Sequence, residues 1–356
     1  MTSTEILNKI RQIQVNNDRR YFAKGIFPSY RKNPLLRKSI PDDNIFFSAS
    51  IAYIINSLNT HFTENEKEIA AYIINDIKPN FQDYTNKPER NSYNFWQKKP
   101  GKHFPNGILY SKLDKFVLPD DIDTTSLVQL CLQPAYPDAF KTKQTITQHA
   151  NSVKNYIKNG HENLKHLKAY STWFGEKMPI EFDVCVLSNL FLWVNNNNFE
   201  LNENDFESLK LIEITILNSL YFKSAFKSSP EYPNTCIILY HISRLISSTK
   251  YLGHCKQKLI NDINLALQKT ATPYEYLLLT TSLYKLNCIP QNKSEINISP
   301  EIISHWWFTA GMLSAFGNSF IQKLAPMSLF HYRFYCPAFN LAIFLEYKIL
   351  TYIHRK

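Results

Sequence analysis

Two stretches of the chain repeat the same order of residues, and this repeat limits the possible folds more than any other feature. GIFPSYRKNPLLRKSIPDDNIFFSASIAYII begins at Gly25, and KHFPNGILYSKLDKFVLPDDIDTTSLVQLCL begins at Lys102. Each has Phe-Pro, a basic stretch, Pro-Asp-Asp and then an apolar segment long enough for a helix. A third copy begins at Ser171, and looser copies begin at Glu231 and Thr272. Such internal repetition predicts several copies of one helical unit packed side by side.

Amphipathic segments lie between the apolar ones; one of them opens with Thr63 and Glu66 at the spacing of a capping box. A helix that is apolar all round must be buried on every side, whereas a striped helix covers it from outside. We therefore predict an all-α fold, an α/α toroid of about five to six inner/outer helix pairs around a central cavity. An open helical solenoid is the alternative. Irregular spacing, 78 residues from Asp43 to Asp121 and 60 from Asp121 to Glu181, favours the closed toroid.

The chain is interpreted as one toroid domain covering residues 1–356, with an N-terminal helix within 1–24. Residues 79–119 form a long basic and aromatic connection directly before the second copy's helix. Connections of this length are uncommon in compact domains and are usually functional. We expect this one to lie at the mouth of the cavity.

Charge and composition restrict the partners. Forty Lys and Arg against thirty Asp and Glu give a net charge of +10, which favours an anionic partner such as a diphosphate, or peripheral contact with an acidic membrane. No basic arm or nucleic-acid-binding motif is present, so no nucleic acid is expected. GxGxxG and GxxxxGK are absent, which argues against the nucleotide-binding loops of those types. Oligomeric state stays open.

Six cysteines lie far apart without a CxxC motif, as expected for free thiols in a reducing compartment. The first residues form no apolar leader, and no apolar stretch reaches the ~20 residues that span a bilayer. A cytoplasmic protein is expected.

The paired aspartates before the apolar segments are first interpreted as helix caps. Asp and Asn are good N-caps, which accounts for Asp42 with Asp43 in the first copy and for Asp120 with Asp121 in the second. Aligning the copies on Pro-Asp-Asp places Asp123 where the first copy has Ile45. A buried carboxyl there costs several kcal/mol or stays protonated. Capping thus leaves Asp123 and the following Thr124 and Thr125 unexplained; Asp183 of the third copy takes the same place as Asp123 in this alignment.

The segment Asp121-Ile122-Asp123-Thr124-Thr125-Ser126 resembles the DxDTT(S) variant of the DxDDTA motif of class II terpene cyclases, as in drimenyl diphosphate synthase-type enzymes. The resemblance implies an α/α toroid and protonation-initiated cyclisation of a linear prenyl diphosphate, with farnesyl diphosphate favoured. It makes Asp123 the general acid, and Asp121 and Thr124 its hydrogen-bonding supports. A Mg²⁺ ion bound through the diphosphate is the one cofactor it suggests. An ordinary aspartate, with a pKa near ~3.9, is ionised at neutral pH, so the acid must be desolvated or lie beside a second carboxylate.

A cation formed in this way needs aromatic faces and no nucleophiles around it. The residues expected to contact the substrate are Trp173, Tyr274, Trp306, Phe330, Phe334, Asp183 and Asn189, with Arg31 and Lys102 neutralising the diphosphate.

Other interpretations remain open. The chain has room for one toroid, whereas many class II cyclases have two helical domains, and it lacks both the DDxxD and NSE metal motifs and the phosphatase domain of some drimane enzymes. Protein prenyltransferases would need a set of Asp, Cys and His zinc ligands that the sequence does not supply. A carbohydrate-active toroid could use paired carboxylates from Asp121, Asp123, Glu181, Asp183 and Glu275. A non-catalytic toroid that binds a partner is the third alternative.

Overall fold

The apolar segments of the sequence form helices that are buried around nearly their whole circumference. A computed structural model describes residues 1–32, 38–85, 91–97, 118–151, 157, 160–175, 178–270, 272–290, 299–303, 305–311 and 323–354. Its longer helices, in chain order, are α1 (Ser3–Ile13), α2 (Phe46–Ser57), α3 (Glu64–Ile77), α4 (Ile122–Leu132), α5 (Tyr136–Thr147), α6 (Val184–Asn196), α7 (Glu203–Leu217), α8 (Thr235–Ser248), α9 (Lys256–Lys269), α10 (Pro273–Lys285) and α11 (Pro337–Ile353). Short α-helical turns cover Leu220–Lys223, Ala225–Ser228 and Pro300–Ile303, and 3₁₀ turns cover Asn59–His61, Lys78–Tyr84, Glu162–Leu164, Gly253–Cys255 and Ser328–Phe330.

Six helices contact one another in sequence order and return to the first. Helix α2 packs against α4, α4 against α6, α6 against α8, α8 against α10, α10 against α11, and α11 against α2. Helices α1, α3, α7 and α9 lie against members of this group. The predicted capping box of α3 is present, because Thr63 and Glu66 exchange side-chain and backbone hydrogen bonds. The prediction of a mostly helical protein is confirmed.

A small sheet corrects the all-α prediction. Strands β1 (Ser29–Lys32), β2 (Ser39–Asp42), β3 (Phe308–Ala310) and β4 (Tyr332–Tyr335) pair antiparallel in the order β2-β1-β4-β3. The two ends of the chain meet here, since Tyr30 pairs with Tyr335. The strands have three or four residues each, too few for a period-2 pattern to stand out in the sequence. Phe308 and Phe334 face the helices from this sheet and are buried.

The N-terminal helix α1 ends at Ile13, so residues 14–24 of the predicted helical segment are not part of it. Much of the 79–119 connection lies outside the described residues; its described part includes the 3₁₀ turn Lys78–Tyr84 and residues 91–97. None of the helices in the described segments has both the length and the apolar character that crossing a bilayer requires.

Candidate functional site

A narrow cavity of about 40 Å³ lies where α2 and α4 begin. The segments that precede α6 and α8 and the strands β3 and β4 complete its wall. Most of the lining is aromatic: Phe46, Phe47, Phe95, Trp173, Tyr232, Phe308 and Phe334. Polar lining residues are Asp121, Asp123, Thr124, Thr172 and Glu231. The three predicted catalytic residues and two predicted substrate contacts, Trp173 and Phe334, are therefore brought together at one cavity.

Asp121 is the N-cap residue of α4. Its Oδ1 accepts the N–H of Thr124 at 2.6 Å, which satisfies one of the helix's first backbone donors. Its Oδ2 is buried and has no hydrogen-bond partner within the described part of the chain. Capping thus explains one oxygen of Asp121 and leaves the other unexplained.

Asp123 lies in the first turn of α4 and is bound by side chains. Its Oδ1 accepts a hydrogen bond from Asn189 Nδ2 at 2.6 Å, and its Oδ2 accepts one from the Tyr232 hydroxyl. Asn189 Oδ1 in turn accepts a bond from Arg244 Nη2 at 2.6 Å. A guanidinium can only donate, so this contact fixes the amide with its NH₂ toward Asp123. Asp123 therefore lies at the end of a chain of hydrogen bonds that begins at Arg244.

Burial controls the ionisation of the two aspartates. Burial raises the pKa of Asp123, although the hydrogen bonds from Asn189 and Tyr232 and the charge of Arg244 act in the opposite direction. The pKa of Asp121 is raised well above its usual value by burial and by the nearby charge of Asp123. Burial therefore shifts both carboxyls toward the protonated state that a general acid needs, and the donors around Asp123 oppose that shift.

Asp183 has a structural position. It is the N-cap of α6 and accepts the backbone N–H groups of Cys185 and Val186 at 2.8 and 3.1 Å. It also accepts the Ser229 hydroxyl at 2.6 Å and the N–H of Glu231 at 2.9 Å. Burial raises its pKa to about 7. Asp183 is not among the residues that line the cavity, and four hydrogen bonds account for its carboxylate.

The observed N-termini of the helices change the alignment of the sequence repeats. The N-cap residues of α2, α4 and α6 are Ile45, Asp121 and Asp183. Asp183 therefore corresponds to Asp121, and Asp123 corresponds to Phe47 of α2, which corrects the alignment on Pro-Asp-Asp by two residues.

The predicted capping role of Asp42 is wrong. Asp42 ends strand β2, and its Oδ2 lies 3.1 Å from Nε of Arg31. The side chain of Ile45, at the N-cap of α2, makes no capping hydrogen bond. Instead Asn44 Oδ1 accepts the N–H of Phe47 at 3.3 Å.

A second narrow cavity, of about 20 Å³, adjoins the first, since Phe46, Tyr232 and Phe308 line both. It contains the predicted contacts Asn189, Tyr274 and Trp306, and also Tyr240, His241 and Arg244. The rings of Tyr274 and Trp306 stack with centroids 3.6 Å apart. Both also line a third cavity, of about 280 Å³.

Two predicted contacts besides Asp183, namely Arg31 and Phe330, do not line the described cavities. Arg31 is buried, paired with Asp42 and packed with its guanidinium 5.3 Å from the centroid of the Trp96 ring. Its charge is therefore neutralised within the sheet. Phe330 ends the 3₁₀ turn Ser328–Phe330 and is not a lining residue. Lys102 lies outside the described residues.

Sequence reasoning missed Tyr232, His241, Arg244 and Glu231. The available signal for two of them was the helix CIILYHISRLI, in which a histidine and an arginine interrupt an otherwise apolar segment. Glu231 lines the cavity, and its pKa is raised well above the usual value by burial and then by the charge of Glu181.

Potential metal ligands within the described residues come together elsewhere. Glu213, His254 and Cys255 have ligand atoms within 4.8 Å of one another, and none of the three lines a described cavity. The carboxyls at the first cavity do not form such a group in the described part of the chain.

Comparison with protein-family models, with curated proteins and with solved structures found no match for this chain.

Proposed function

We propose that this protein is a class II terpene cyclase-like enzyme built on an α/α toroid. The circuit of contacts through α2, α4, α6, α8, α10 and α11 supports a closed ring of inner helices rather than an open solenoid. Helices α1, α3, α7 and α9 would be the outer layer, and the four-stranded sheet would cover the end of the ring at which α2 and α4 begin.

One observation carries the proposal: Asp123 is a buried carboxyl in an aromatic cavity, held by side chains and not by backbone N–H groups. A carboxyl that only capped a helix would bond to backbone donors, as Asp183 does. This difference favours an acid–base role over a non-catalytic scaffold. The aromatic wall also favours an apolar substrate over a polar sugar.

In the proposed reaction Asp123 gives its proton to the terminal alkene of a prenyl diphosphate. Asn189 donates to Oδ1, so the acidic proton belongs on Oδ2, and the Tyr232 hydroxyl, which can accept as well as donate, must then turn its own proton away from Oδ2. The π electrons of the alkene form the new C–H bond and leave a tertiary cation. The carboxylate that remains is stabilised by Asn189, Tyr232 and the charge of Arg244. Each aromatic face contributes roughly 0.5–2 kcal/mol to the cation.

The two adjoining cavities, of about 40 and 20 Å³, share Phe46, Tyr232 and Phe308 in their walls, and these rings would have to move apart to admit a prenyl chain. We propose that farnesyl diphosphate occupies them, with its terminal isoprene unit at Asp123. Arg244 is the lining residue with a permanent positive charge in the described wall of the second cavity. A Mg²⁺ ion, where one takes part, would be held mainly by the diphosphate itself.

The test is incubation of the purified protein with prenyl diphosphates of several chain lengths and Mg²⁺ in D₂O. We expect a cyclic isomer that keeps its diphosphate and carries one deuterium from Asp123. Asp123→Asn should lower the rate by about 10²–10⁴-fold. Asp120→Asn is the matched control, because Asp120 is also buried but accepts from Ser92 and does not line the cavity. No cyclic product at any chain length, or full activity of Asp123→Asn, would refute the proposal.

A further inference from the structure

A buried histidine in the second cavity has one ring nitrogen that makes no hydrogen bond with any of the described residues. His241 lies on α8, is 7% exposed and lines the cavity. Its Nδ1 lies 3.0 Å from the backbone carbonyl oxygen of Ile237. A carbonyl oxygen can only accept, so Nδ1 carries the proton and the lone pair is on Nε2. No residue in the described ranges forms a hydrogen bond with Nε2, and this nitrogen is available to a ligand.

The surroundings keep this imidazole neutral. Burial, and then the charge of Arg244, lower the pKa of His241 to about 3. The ring centroid of Tyr232, which binds Asp123, lies 4.8 Å from that of His241, and the centroid of Tyr240 lies 5.7 Å away. Tyr232 thus contacts the proposed proton donor through its hydroxyl and the imidazole of His241 through its ring.

We propose that His241 is the base that ends the cyclisation. This inference rests on the proposed function. The C–H bond next to the final cation breaks, its electron pair becomes the C=C bond, and the proton forms an N–H bond at Nε2. Asp123 supplied one proton and His241 accepts one, so the product is an isomer of the substrate.

A weak base suits this step. A carbocation is a very strong acid, so a neutral imidazole can deprotonate it even where its affinity for protons is low. Protonated His241 would repel the cation, whereas the neutral ring does not. After product release the imidazolium loses its proton to solvent, and Asp123 takes one up from solvent.

The experiment compares the products of wild type, His241→Asn and His241→Phe by mass spectrometry after the diphosphate is removed. His241→Asn keeps a donor for the Ile237 carbonyl and has no basic nitrogen, while His241→Phe keeps the ring shape. His331→Asn is the control, because His331 is also buried and bonded to a backbone carbonyl but lines neither of the two site cavities. Thermal unfolding identifies variants that fold.

Both His241 variants should still consume substrate. The ratio of alcohols and isomeric alkenes to the wild-type alkene should rise at least about tenfold, since water and other bases take over the last step. An unchanged single product from a folded His241 variant, or a wild-type product that has already gained water, would overturn the assignment. If Asp123→Asn is inactive and the His241 variants form the wild-type alkene, the proposed function stands and this inference is wrong. If wild type forms no cyclic product, both are wrong.

Discussion

Replacement of Tyr232 by Phe is expected to raise the pKa of Asp123. The hydroxyl of Tyr232 donates to Asp123 Oδ2, and this bond favours the ionised carboxylate. A hydrogen bond to a charged group contributes about 1.5–3 kcal/mol. One pKa unit corresponds to about 1.36 kcal/mol, so the pKa of Asp123 should rise by about 1–2 units. The ring of Phe fills the same space, so the aromatic wall should be preserved.

The same change has a defined effect on stability. Burial raises the pKa of folded Asp123 above the unfolded value of about 3.9. The contribution of Asp123 to the free energy of unfolding is therefore fully present below about pH 4, and it is lost as the pH rises through the pKa of the folded state. In Tyr232→Phe the loss continues to higher pH, so the variant should be close to wild type in acid and less stable in alkali by about 1.5–3 kcal/mol.

Carbon-13 NMR of protein labelled at the aspartate carboxyl measures this pKa directly, with Asp123→Asn identifying the resonance. Tyr221→Phe is the matched control: the buried hydroxyl of Tyr221 donates to Asp262, away from the cavities, and its loss should leave the titration of Asp123 unchanged. Urea unfolding at acid and alkaline pH gives the second measurement. An Asp123 pKa that stays the same or falls in Tyr232→Phe would show that the hydroxyl does not stabilise the carboxylate.

Two further substitutions test the buried charges. Burial raises the pKa of Asp183 to about 7. As the pH rises from ~4 to ~7, the free energy of unfolding of wild type should therefore fall relative to that of Asp183→Asn by up to about 1.4 kcal/mol per pH unit. A difference between the two proteins that stays constant with pH in urea unfolding would contradict this. Lys143→Met should cost about 3–5 kcal/mol of unfolding free energy, because Lys143 Nζ lies 2.5 Å from Asp205 Oδ1 and both side chains are buried. Lys168→Met, which breaks the exposed pair with Glu203, should cost less than about 1 kcal/mol, and equal losses would refute the distinction.

The helices could be predicted from local sequence, and the sheet could not. The segments that follow Asp121, Asp183 and Thr272 are helical as expected, because each combines an N-cap with a long apolar segment. Strand β1 pairs with β4 across almost the whole length of the chain, Arg31 opposite Phe334, and no local pattern encodes such a pairing. The same sheet buries Arg31 against Asp42. Because the local sequence does not reveal the sheet, it suggested that Arg31 was available to bind a diphosphate.

Only part of the site is visible in the sequence for the same reason. A polar residue in an apolar helix start marked Asp123, since local pattern predicts burial there. Its partners are remote: Tyr232 is 109 residues away, and Asn189 is 66. Arg244 reaches Asp123 only through Asn189, 55 residues earlier in the chain. The packing of α4, α6 and α8 brings these distant residues together. The periodicity of hydrophobic residues in the sequence does not indicate which polar side chains meet between the helices.

The cost of Asp123 is the strongest argument that the site has a purpose beyond folding. Capping explains Asp183, which accepts two backbone N–H groups at the start of α6, and it explains one oxygen of Asp121, which accepts one such group of α4. Asp123 caps nothing, and the helix α2 has Phe47 at the equivalent position. The carboxyl there is bound by Asn189, whose own oxygen is bound by the buried Arg244, and well-packed apolar residues often replace such buried charged groups without loss of stability. A buried polar network that is not needed for folding is expected at a functional site, and proton transfer is a function that would require this one.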